Sequence, residues 1–277
     1  MENTTIAFIG GGNMARSLIG GLISGGCDAR RIHVADPFPE ALDNLAEKFG
    51  VHVTDSNEAA AAEADVIVLA VKPQVMRAAV KSIREAVQQN GPLIISIAAG
   101  VTEHLVCSSL GGTTAVVRTM PNTPALLRCG ATALYANAHV TEAQREKAES
   151  ILRSVGIVRW VDEEKQLDAV TAVSGSGPAY FFLLMELLEK AGRDLGLPAD
   201  TARLLTLQTA YGAARMALES AEEPGKLRER VTSPGGTTAA ALNHLGETGF
   251  AESFTAAVHA ACARSAELSR EIEEDNS

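Results

Sequence analysis

The chain has 277 residues, of which 46% are hydrophobic, 21% charged and 4% aromatic, and its formal net charge is −10. This length and apolar content suffice for two modest globular domains. The acidic charge and the few aromatic rings argue against a nucleic-acid partner, because such a surface needs a basic face and rings on which bases stack.

The first half of the chain alternates short β-branched runs with amphipathic segments, as in a parallel sheet covered by helices on both faces. The predicted strands are residues 6–9, 32–35, 51–53, 66–70, 93–97 and 116–118, with further apolar runs at 131–135 and 157–161. The predicted helices are residues 13–24, 39–48, 75–89 and one that begins at a capping box of Thr141 and Gln144. We therefore predict an α/β fold class, with a Rossmann-type, doubly wound dinucleotide-binding domain at residues 1–163.

Strand signals end beyond residue 163, and strongly apolar helical segments follow. They are predicted at residues 178–195, 198–221, 237–245 and 250–274, and the Glu-rich end at 271–277 is expected to be a solvated, fraying tail. Helices this apolar cannot all be buried within about 110 residues, because a small domain has too much surface for its volume. We assign residues 164–277 to an all-α domain that binds substrate and dimerises. The alternative is that these helices cover the first domain of the same chain.

The four cysteines are dispersed, with no CxxC pair and no neighbouring histidine cluster. This spacing predicts reduced thiols and indicates neither a zinc site nor a redox dithiol, so no metal is expected. The first residues lead directly into a strand, without the features of a signal peptide. No apolar run approaches the ~20 residues of a membrane helix. We expect a cytoplasmic protein with no membrane partner.

A dinucleotide fingerprint follows the first predicted strand. Gly10 and Gly12 with Ala15 fit the pattern GxGxxA, in which a bare backbone lets a pyrophosphate approach the positive end of a helix. Asp36 ends the second strand, where a carboxylate would bind the adenosine ribose hydroxyls and favour NAD over NADP. Asp36 is equally well placed as a turn residue that bonds local backbone before Pro37.

Three further blocks end predicted strands at the edge of the sheet where cofactors bind. Ala70-Val71-Lys72-Pro73 ends the fourth strand, and its lysine is either an anchor or a solvated charge near the phosphates. Ser96-Ile97-Ala98-Ala99-Gly100 ends the fifth strand with small side chains, which leave room for a nicotinamide. Met120-Pro121-Asn122-Thr123-Pro124 forms a rigid turn whose simplest role is to shape the mouth of the cleft.

Two glycine-rich turns open helices in the second half of the chain, Ser174-Gly175-Ser176-Gly177-Pro178 and Ser233-Pro234-Gly235-Gly236-Thr237-Thr238. Unpaired N–H groups and the positive end of the peptide dipoles let a helix start hold a carboxylate without a basic side chain. The motifs together indicate an oxidoreductase that acts on a small acid.

The six histidines form no cluster, so the His–Asp relay of alcohol oxidation has no candidate. Imine reduction fits better, because an imine can arrive already protonated. A hydroxyacid dehydrogenase on the same layout is one rival, but it needs a lysine beside the first glycine-rich turn, and residues 174–188 contain none. A nucleotide sensor that binds the cofactor without turnover is the other.

Six blocks in order make the chain resemble the Δ1-pyrroline-5-carboxylate reductase family over nearly its entire length. They are residues 8–14, 70–73, 96–100, 120–124, 173–180 and 233–238. The resemblance implies hydride transfer from a nicotinamide to the imine carbon of 1-pyrroline-5-carboxylate, giving L-proline in the last step of proline biosynthesis. It also implies a helical domain that interlocks with a second subunit, with dimers that often assemble into rings of five dimers, a decamer.

The same resemblance implies the residues of the site. Those expected to contact the cofactor are Ile9, Gly10, Gly11, Gly12, Asn13, Met14, Asn57, Ala70, Val71, Lys72, Pro73, Ile97, Ala98 and Ala99, to which its position adds Asp36. Those expected to bind the substrate are Ser233, Gly235, Gly236 and Thr237, with Ser174, Gly175, Ser176 and Gly177 as the neighbouring wall. The Thr238 hydroxyl would reach the ring nitrogen as the catalytic group. Family members commonly prefer NADPH, so we expect NADPH and keep NADH open because of Asp36.

Overall fold

The computed structural model describes residues 4–274, which divide into two compact units. The sheet unit contains the described residues up to Ser176 and those from Ala261 onward, and the helical unit is Gly177–Ala260. The predicted fold class is confirmed, with a mainly parallel sheet between helices in the first unit and helices in the second. The domain boundary after residue 163 stays a prediction.

Within residues 4–274, eight strands form one sheet at the centre of the sheet unit. The strands are β1 (Ile6–Ile9), β2 (Ile32–Ala35), β3 (His52–Thr54), β4 (Val66–Leu69), β5 (Leu93–Ser96), β6 (Val116–Met120), β7 (Gly130–Ala136) and β8 (Gly156–Trp160). Their order is β3-β2-β1-β4-β5-β6-β7-β8, and only the β6–β7 pair is antiparallel. Every residue of β1, β4 and β5 is buried, as expected of strands covered on both faces. The strand order reverses between β1 and β4, and such sheets bind ligands outside the carboxyl ends of the strands at this point.

Helices cover both faces of the sheet. They are α1 (Asn13–Ser24), α2 (Pro39–Phe49), α3 (Asn57–Ala61), α4 (Pro73–Ser82), α5 (Arg84–Asn90), α6 (Glu103–Leu110), α7 (Glu142–Arg153) and α8 (Gln166–Val170). The predicted capping box is confirmed at α7, where Thr141 Oγ1 accepts from the Gln144 N–H and the Gln144 side chain accepts from the Thr141 N–H. The predicted single helix over residues 75–89 is wrong. The fully buried Ile83 separates α4 from α5 with a backbone outside the helical region.

Long helices with exposed apolar faces make up the helical unit. The helices from residue 177 onward are α9 (Gly177–Asp194), α10 (Ala199–Glu219), α11 (Pro224–Arg230), α12 (Thr237–Glu247) and α13 (Phe250–Glu274). Phe181, Phe182 and Leu204 are 62%, 63% and 68% exposed in the single chain. Apolar surface of this extent indicates a protein interface. Among the described helices, none is long and apolar enough to cross a membrane.

The C-terminal end of α13 belongs to the sheet unit and is held there by specific contacts. Thr102 Oγ1 donates a 2.5 Å hydrogen bond to Glu273 Oε1, which joins positions 171 residues apart. A Cβ added at Gly100 would lie 2.9 Å from Ile272 Cδ1. The predicted fraying is therefore wrong for residues 271–274, which are helical, although Glu271 and Glu274 are exposed as expected. Local composition does not reveal the contacts of Ile272 and Glu273 with distant residues. Residues 275–277 lie outside the described part of the chain.

His33 on β2 makes stability depend on pH, and its neighbour on β3 is His52. The rings of His33 and His52 stack with centroids 5.0 Å apart. Burial, and secondarily His52, lower the pKa of His33, so its neutral form is favoured in the folded state. The unfolded chain takes up this proton first, with a pKa of about 6.5. This contribution to stability is therefore complete above that pH and is lost as the pH falls through it.

We expect His33→Gln to lose less unfolding free energy than the wild type when the pH falls from about 7.5 to about 5.5. Urea denaturation at the two pH values measures this difference. Replacement of the exposed His139 by Gln is the control and should leave the wild-type pH dependence intact. Equal slopes in His33→Gln and wild type would contradict the assignment.

Candidate active site

The fingerprint turn between β1 and α1 forms a cradle bounded by backbone. Gly10 has a φ of +103°, and a Cβ added there would lie 2.6 Å from the Ala70 carbonyl oxygen, so glycine is required where β1 approaches β4. Gly12 is the N-cap of α1, and the first turn of this helix has no acidic residue. A Cβ added at Gly12 would meet no atom of the described residues within 4 Å. The first N–H groups of α1, from Asn13 and Met14, therefore border an open space suited to an anion.

Asp36 directly follows β2 and lies beside this turn. Its Oδ2 accepts a 2.8 Å hydrogen bond from the Gly11 N–H, and its Oδ1 accepts a 2.9 Å hydrogen bond from the Phe38 N–H. Asp36 thus fastens the fingerprint turn to the end of β2, which is the turn-residue role considered from the sequence. Its contact with a ribose stays a prediction.

The other predicted cofactor residues also follow the carboxyl ends of strands in the sheet unit. Ile9 ends β1, Asn57 follows β3, the block of Ala70, Val71, Lys72 and Pro73 follows β4, and Ile97, Ala98 and Ala99 follow β5. Lys72 is the N-cap of α4, and its side chain is exposed. The Asn57 side-chain amide donates a 3.0 Å hydrogen bond to Ser82 Oγ. Parallel strand packing therefore gathers these residues at one edge of the sheet.

A cavity of about 580 Å³ lies in the sheet unit at this edge. Its lining joins Pro73 and Ala99, predicted to bind the cofactor, with Ser176, predicted to bind the substrate. The remaining wall includes side chains of α13, among them Arg264, Ser265, Leu268, Glu271 and Ile272. Sequence reasoning missed these lining residues, since nothing in the amphipathic pattern of α13 shows which part returns to the sheet.

The charges of α13 beside this cavity are paired. Arg264 Nη1 lies 2.7 Å from Glu271 Oε1 and 3.1 Å from Glu267 Oε2. The hydrogen bond from Arg264 lowers the pKa of Glu271, so the Glu271 carboxyl is ionised at neutral pH. Arg264 is therefore partly neutralised where it borders the cavity.

The first glycine-rich turn has an unusual backbone. Residues Thr171–Gly175 form a π-helical turn, in which the Ser176 N–H donates a 2.8 Å hydrogen bond to the Thr171 carbonyl. Ser174, Gly175 and Ser176 belong to the sheet unit, and Gly177 begins α9 in the helical unit. Such π-helical segments occur frequently at functional sites.

The second glycine-rich turn lies in the helical unit. Gly235 has a φ of +71°, and the Gly236 N–H donates a 3.0 Å hydrogen bond to the Ser233 carbonyl. Gly236 is the N-cap of α12, and Thr237 and Thr238 are the first two residues of that helix. The N–H groups of the first turn have no acceptor within the helix and are available to an anion.

A fingerprint turn at the switch point of a parallel sheet, open in front of its helix, defines the class of dinucleotide-binding proteins. Comparison with known proteins identifies the family. Residues 5–100 match the family model described as NADP oxidoreductase coenzyme F420-dependent, and residues 164–268 match the model for pyrroline-5-carboxylate reductase dimerisation. The chain belongs to the pyrroline-5-carboxylate reductase family.

Individual relatives agree over the full length. The chain is 53% identical over 272 residues to the pyrroline-5-carboxylate reductase of Pseudomonas aeruginosa, an alignment that covers 98% of this chain and 99% of the relative. The solved structure of the Coxiella burnetii enzyme aligns with a TM-score of 0.92 at 48% identity and covers 96% and 99% of the two chains. That of Plasmodium falciparum pyrroline carboxylate reductase with NADP bound aligns with a TM-score of 0.86 at 31% identity, covering 97% and 99%.

The family and the fold class predicted from the sequence are thereby confirmed. The helical unit falls within the matched dimerisation model and exposes the apolar faces of α9 and α10. The chain accordingly forms a homo-oligomer.

Proposed function

We propose that this chain is an oxidoreductase that reduces the imine of 1-pyrroline-5-carboxylate to L-proline, with NADPH as the reductant. The observation that carries the proposal is the 53% identity to a pyrroline-5-carboxylate reductase over 98% of the chain. The cradle at Gly12 supports it, because a Cβ there would occupy the space that a pyrophosphate needs.

The cofactor residues hold NADPH through backbone and small side chains. The N–H groups of Gly12, Asn13 and Met14 bind the pyrophosphate at the start of α1, where the helix dipole favours an anion. The exposed ammonium of Lys72 adds positive charge near the phosphates. Ala98 and Ala99 leave room for the nicotinamide, and bound NADPH supplies the hydride for the imine carbon. A match to an NADP oxidoreductase family model and the NADP in the Plasmodium falciparum relative support this choice over NADH.

The substrate is held mainly by backbone. The N–H groups of the turn formed by Ser233, Gly235, Gly236 and Thr237 bind its carboxylate, and the Thr238 hydroxyl holds the ring nitrogen. The turn of Ser174 to Gly177 forms the neighbouring wall. Rate then comes from alignment of the imine and from stabilisation of its cationic form by fixed dipoles.

Assembly beyond the homo-oligomer is part of the same proposal. We place the dimer interface on the exposed apolar faces of α9 and α10, within a dimerisation domain at residues 164–277, and propose that five dimers form a ring. A cytoplasmic location agrees with the four free cysteines, which suit a reducing compartment.

The proposal is tested by following the near-ultraviolet absorbance of NADPH in the presence of 1-pyrroline-5-carboxylate, with NADH in parallel and proline as the product identified. We expect turnover that depends on the imine and is faster with NADPH. Binding of NADPH without turnover would indicate a nucleotide sensor instead, and turnover only with a hydroxyacid would indicate a dehydrogenase.

Replacement of Asp36 tests whether its carboxylate fastens the fingerprint turn or binds the ribose of the cofactor. Because both carboxylate oxygens already accept backbone N–H groups, we expect Asp36→Ala to lower kcat/KM with NADPH and NADH in parallel. The loss of two charge-assisted hydrogen bonds loosens the turn for either cofactor. Steady-state kinetics with both cofactors measure the ratio. A ratio that moves tenfold towards NADPH would instead place the carboxylate beside the ribose.

A further inference from the structure

The Ser174 carbonyl lacks the donor that a continuing helix would provide. In an α-helix, the carbonyl of residue 174 accepts from the N–H of residue 178, but that residue is Pro178, which has no N–H. The preceding π-helical turn already uses the Ser176 N–H for the Thr171 carbonyl. Ser174 is half-buried, and a carbonyl that is partly removed from water is costly to leave without a donor.

The side chain of Asn122 supplies this donor. Its Nδ2 donates a 3.0 Å hydrogen bond to the Ser174 carbonyl, while its Oδ1 accepts a 2.9 Å hydrogen bond from the Ala131 N–H. Asn122 is only 9% exposed. The two hydrogen bonds engage both ends of its side-chain amide. The amide bonds to the start of β7 and to the first glycine-rich turn, and its partner Ser174 lies 52 residues further along the sequence.

A second contact joins the segment of Met120 to Pro124 to the same glycine-rich turn. A Cβ added at Gly175 would lie 2.6 Å from Met120 Cε, so the methionine packs directly against the bare backbone of the turn. Pro121 and Pro124 restrict the backbone on either side of Asn122. Asn122 thus projects from a rigid support, which suits it to fix the turn in one geometry.

We propose that Asn122 is a positioning residue for the reaction, which acts by holding the turn of Ser174 to Gly177 in its π-helical form. This inference rests on the proposed function, which places that turn beside the substrate. The amide acts through the Ser174 carbonyl, and a shift of about 1 Å in such a support can cost about 100-fold in rate.

The test uses Asn122→Ala with Asn137→Ala as its matched control. Asn137 is also a buried amide, 6% exposed, whose Nδ2 donates 2.9 Å to the Thr114 carbonyl and whose Oδ1 accepts from the Val116 N–H at the start of β6. Asn137 also accepts from the His139 N–H at 3.2 Å and donates to Cys107 Sγ at 3.8 Å. Each variant therefore loses one buried amide that joins a carbonyl to the N–H of a strand. We expect Asn122→Ala to lower kcat/KM for the imine about tenfold or more with the KM for NADPH unchanged within twofold, and Asn137→Ala to change neither.

Amide hydrogen exchange provides a readout that does not depend on turnover. The Ser176 N–H reports the π-helical bond, and its exchange should be about tenfold faster in Asn122→Ala and unchanged in Asn137→Ala. Equal exchange in the two variants would overturn the proposal. So would faster exchange with unaltered imine kinetics, because Asn122 would then order the turn without positioning it for the reaction.

Two further outcomes are distinguishable. A wild-type protein that does not reduce the imine would refute the proposed function, while the exchange of Ser176 would still decide whether Asn122 holds the turn. If Asn122→Ala does not fold, Asn122→Asp replaces it. That variant keeps the acceptor for the Ala131 N–H and places a carboxylate oxygen where Asn122 Nδ2 donates to the Ser174 carbonyl.

Discussion

A Gly12→Val variant is expected to fold and to lose most of its affinity for NADPH. A Cβ at residue 12 meets no described atom within 4 Å, and the backbone there is extended, so we expect the fold to tolerate valine. The added side chain fills the space in front of α1. We expect the added side chain to break two of the hydrogen bonds that the N–H groups of Gly12, Asn13 and Met14 donate to the pyrophosphate. At about 1.5–3 kcal/mol for each hydrogen bond to a charged group, NADPH should bind at least about 100-fold more weakly. Fluorescence titration with NADPH measures the affinity, and thermal unfolding shows that the variant is folded.

Gly10→Ala is the matched comparison, because it adds a methyl group to the same turn at a position where the fold cannot accept it. Its φ of +103° and the 2.6 Å approach of a Cβ to the Ala70 carbonyl oxygen predict a loss of stability of about 1–3 kcal/mol. The two glycines therefore separate folding from cofactor binding. Normal NADPH affinity in folded Gly12→Val would refute the fingerprint as the pyrophosphate site.

The strands could be predicted because their apolar runs are short, β-branched and bounded by turn residues. All eight predicted runs lie within two residues of β1 to β8. The capping box at Thr141 could also be predicted, since it needs only hydrogen bonds between residues close in sequence. Local chemistry therefore determines most of the sheet unit.

Features that depend on distant contacts were not predictable in the same way. The break at Ile83 has no glycine or proline that would predict it, and the residue there is fully buried. The return of α13 to the sheet unit depends on Gly100 and Thr102. One feature of the sequence indicates the hydrogen bond from Asn122 to Ser174. Pro178, four residues after Ser174, has no N–H to donate to the Ser174 carbonyl, so another donor is expected.

The site residues differ in how much of their role the sequence can supply. The pattern around Gly10 and Gly12 carries its own mechanism, because a bare backbone and a helix start suffice for a pyrophosphate. The sequence allows two roles for Asp36, which are to bind the ribose and to bond the local backbone. Its hydrogen bonds from the Gly11 and Phe38 N–H groups show that it bonds the backbone of the turn. Thr238 depends on the family resemblance alone and therefore has the most to gain from a direct test.

Thr238→Ala is expected to lower kcat/KM for the imine by about 10- to 100-fold, because it removes a hydrogen bond to a charged group worth about 1.5–3 kcal/mol. Thr238 is the second residue of α12, two positions after the Gly236 N-cap, and it is partly exposed. NADPH affinity should change little, since Thr238 is not among the residues predicted to contact the cofactor. Steady-state kinetics with the imine and a separate NADPH titration measure the two quantities.

Two variants distinguish a role in the reaction from a role in the helix. Thr238→Ser keeps the hydroxyl and should retain most of the activity. Thr248→Ala removes a hydroxyl from the other end of α12, where Thr248 Oγ1 donates to the His244 carbonyl at 3.1 Å, and should affect stability rather than imine turnover. If Thr238→Ala turns over the imine like the wild type, the ring nitrogen is held by another group, and binding by the backbone of the turn is what remains of the substrate site.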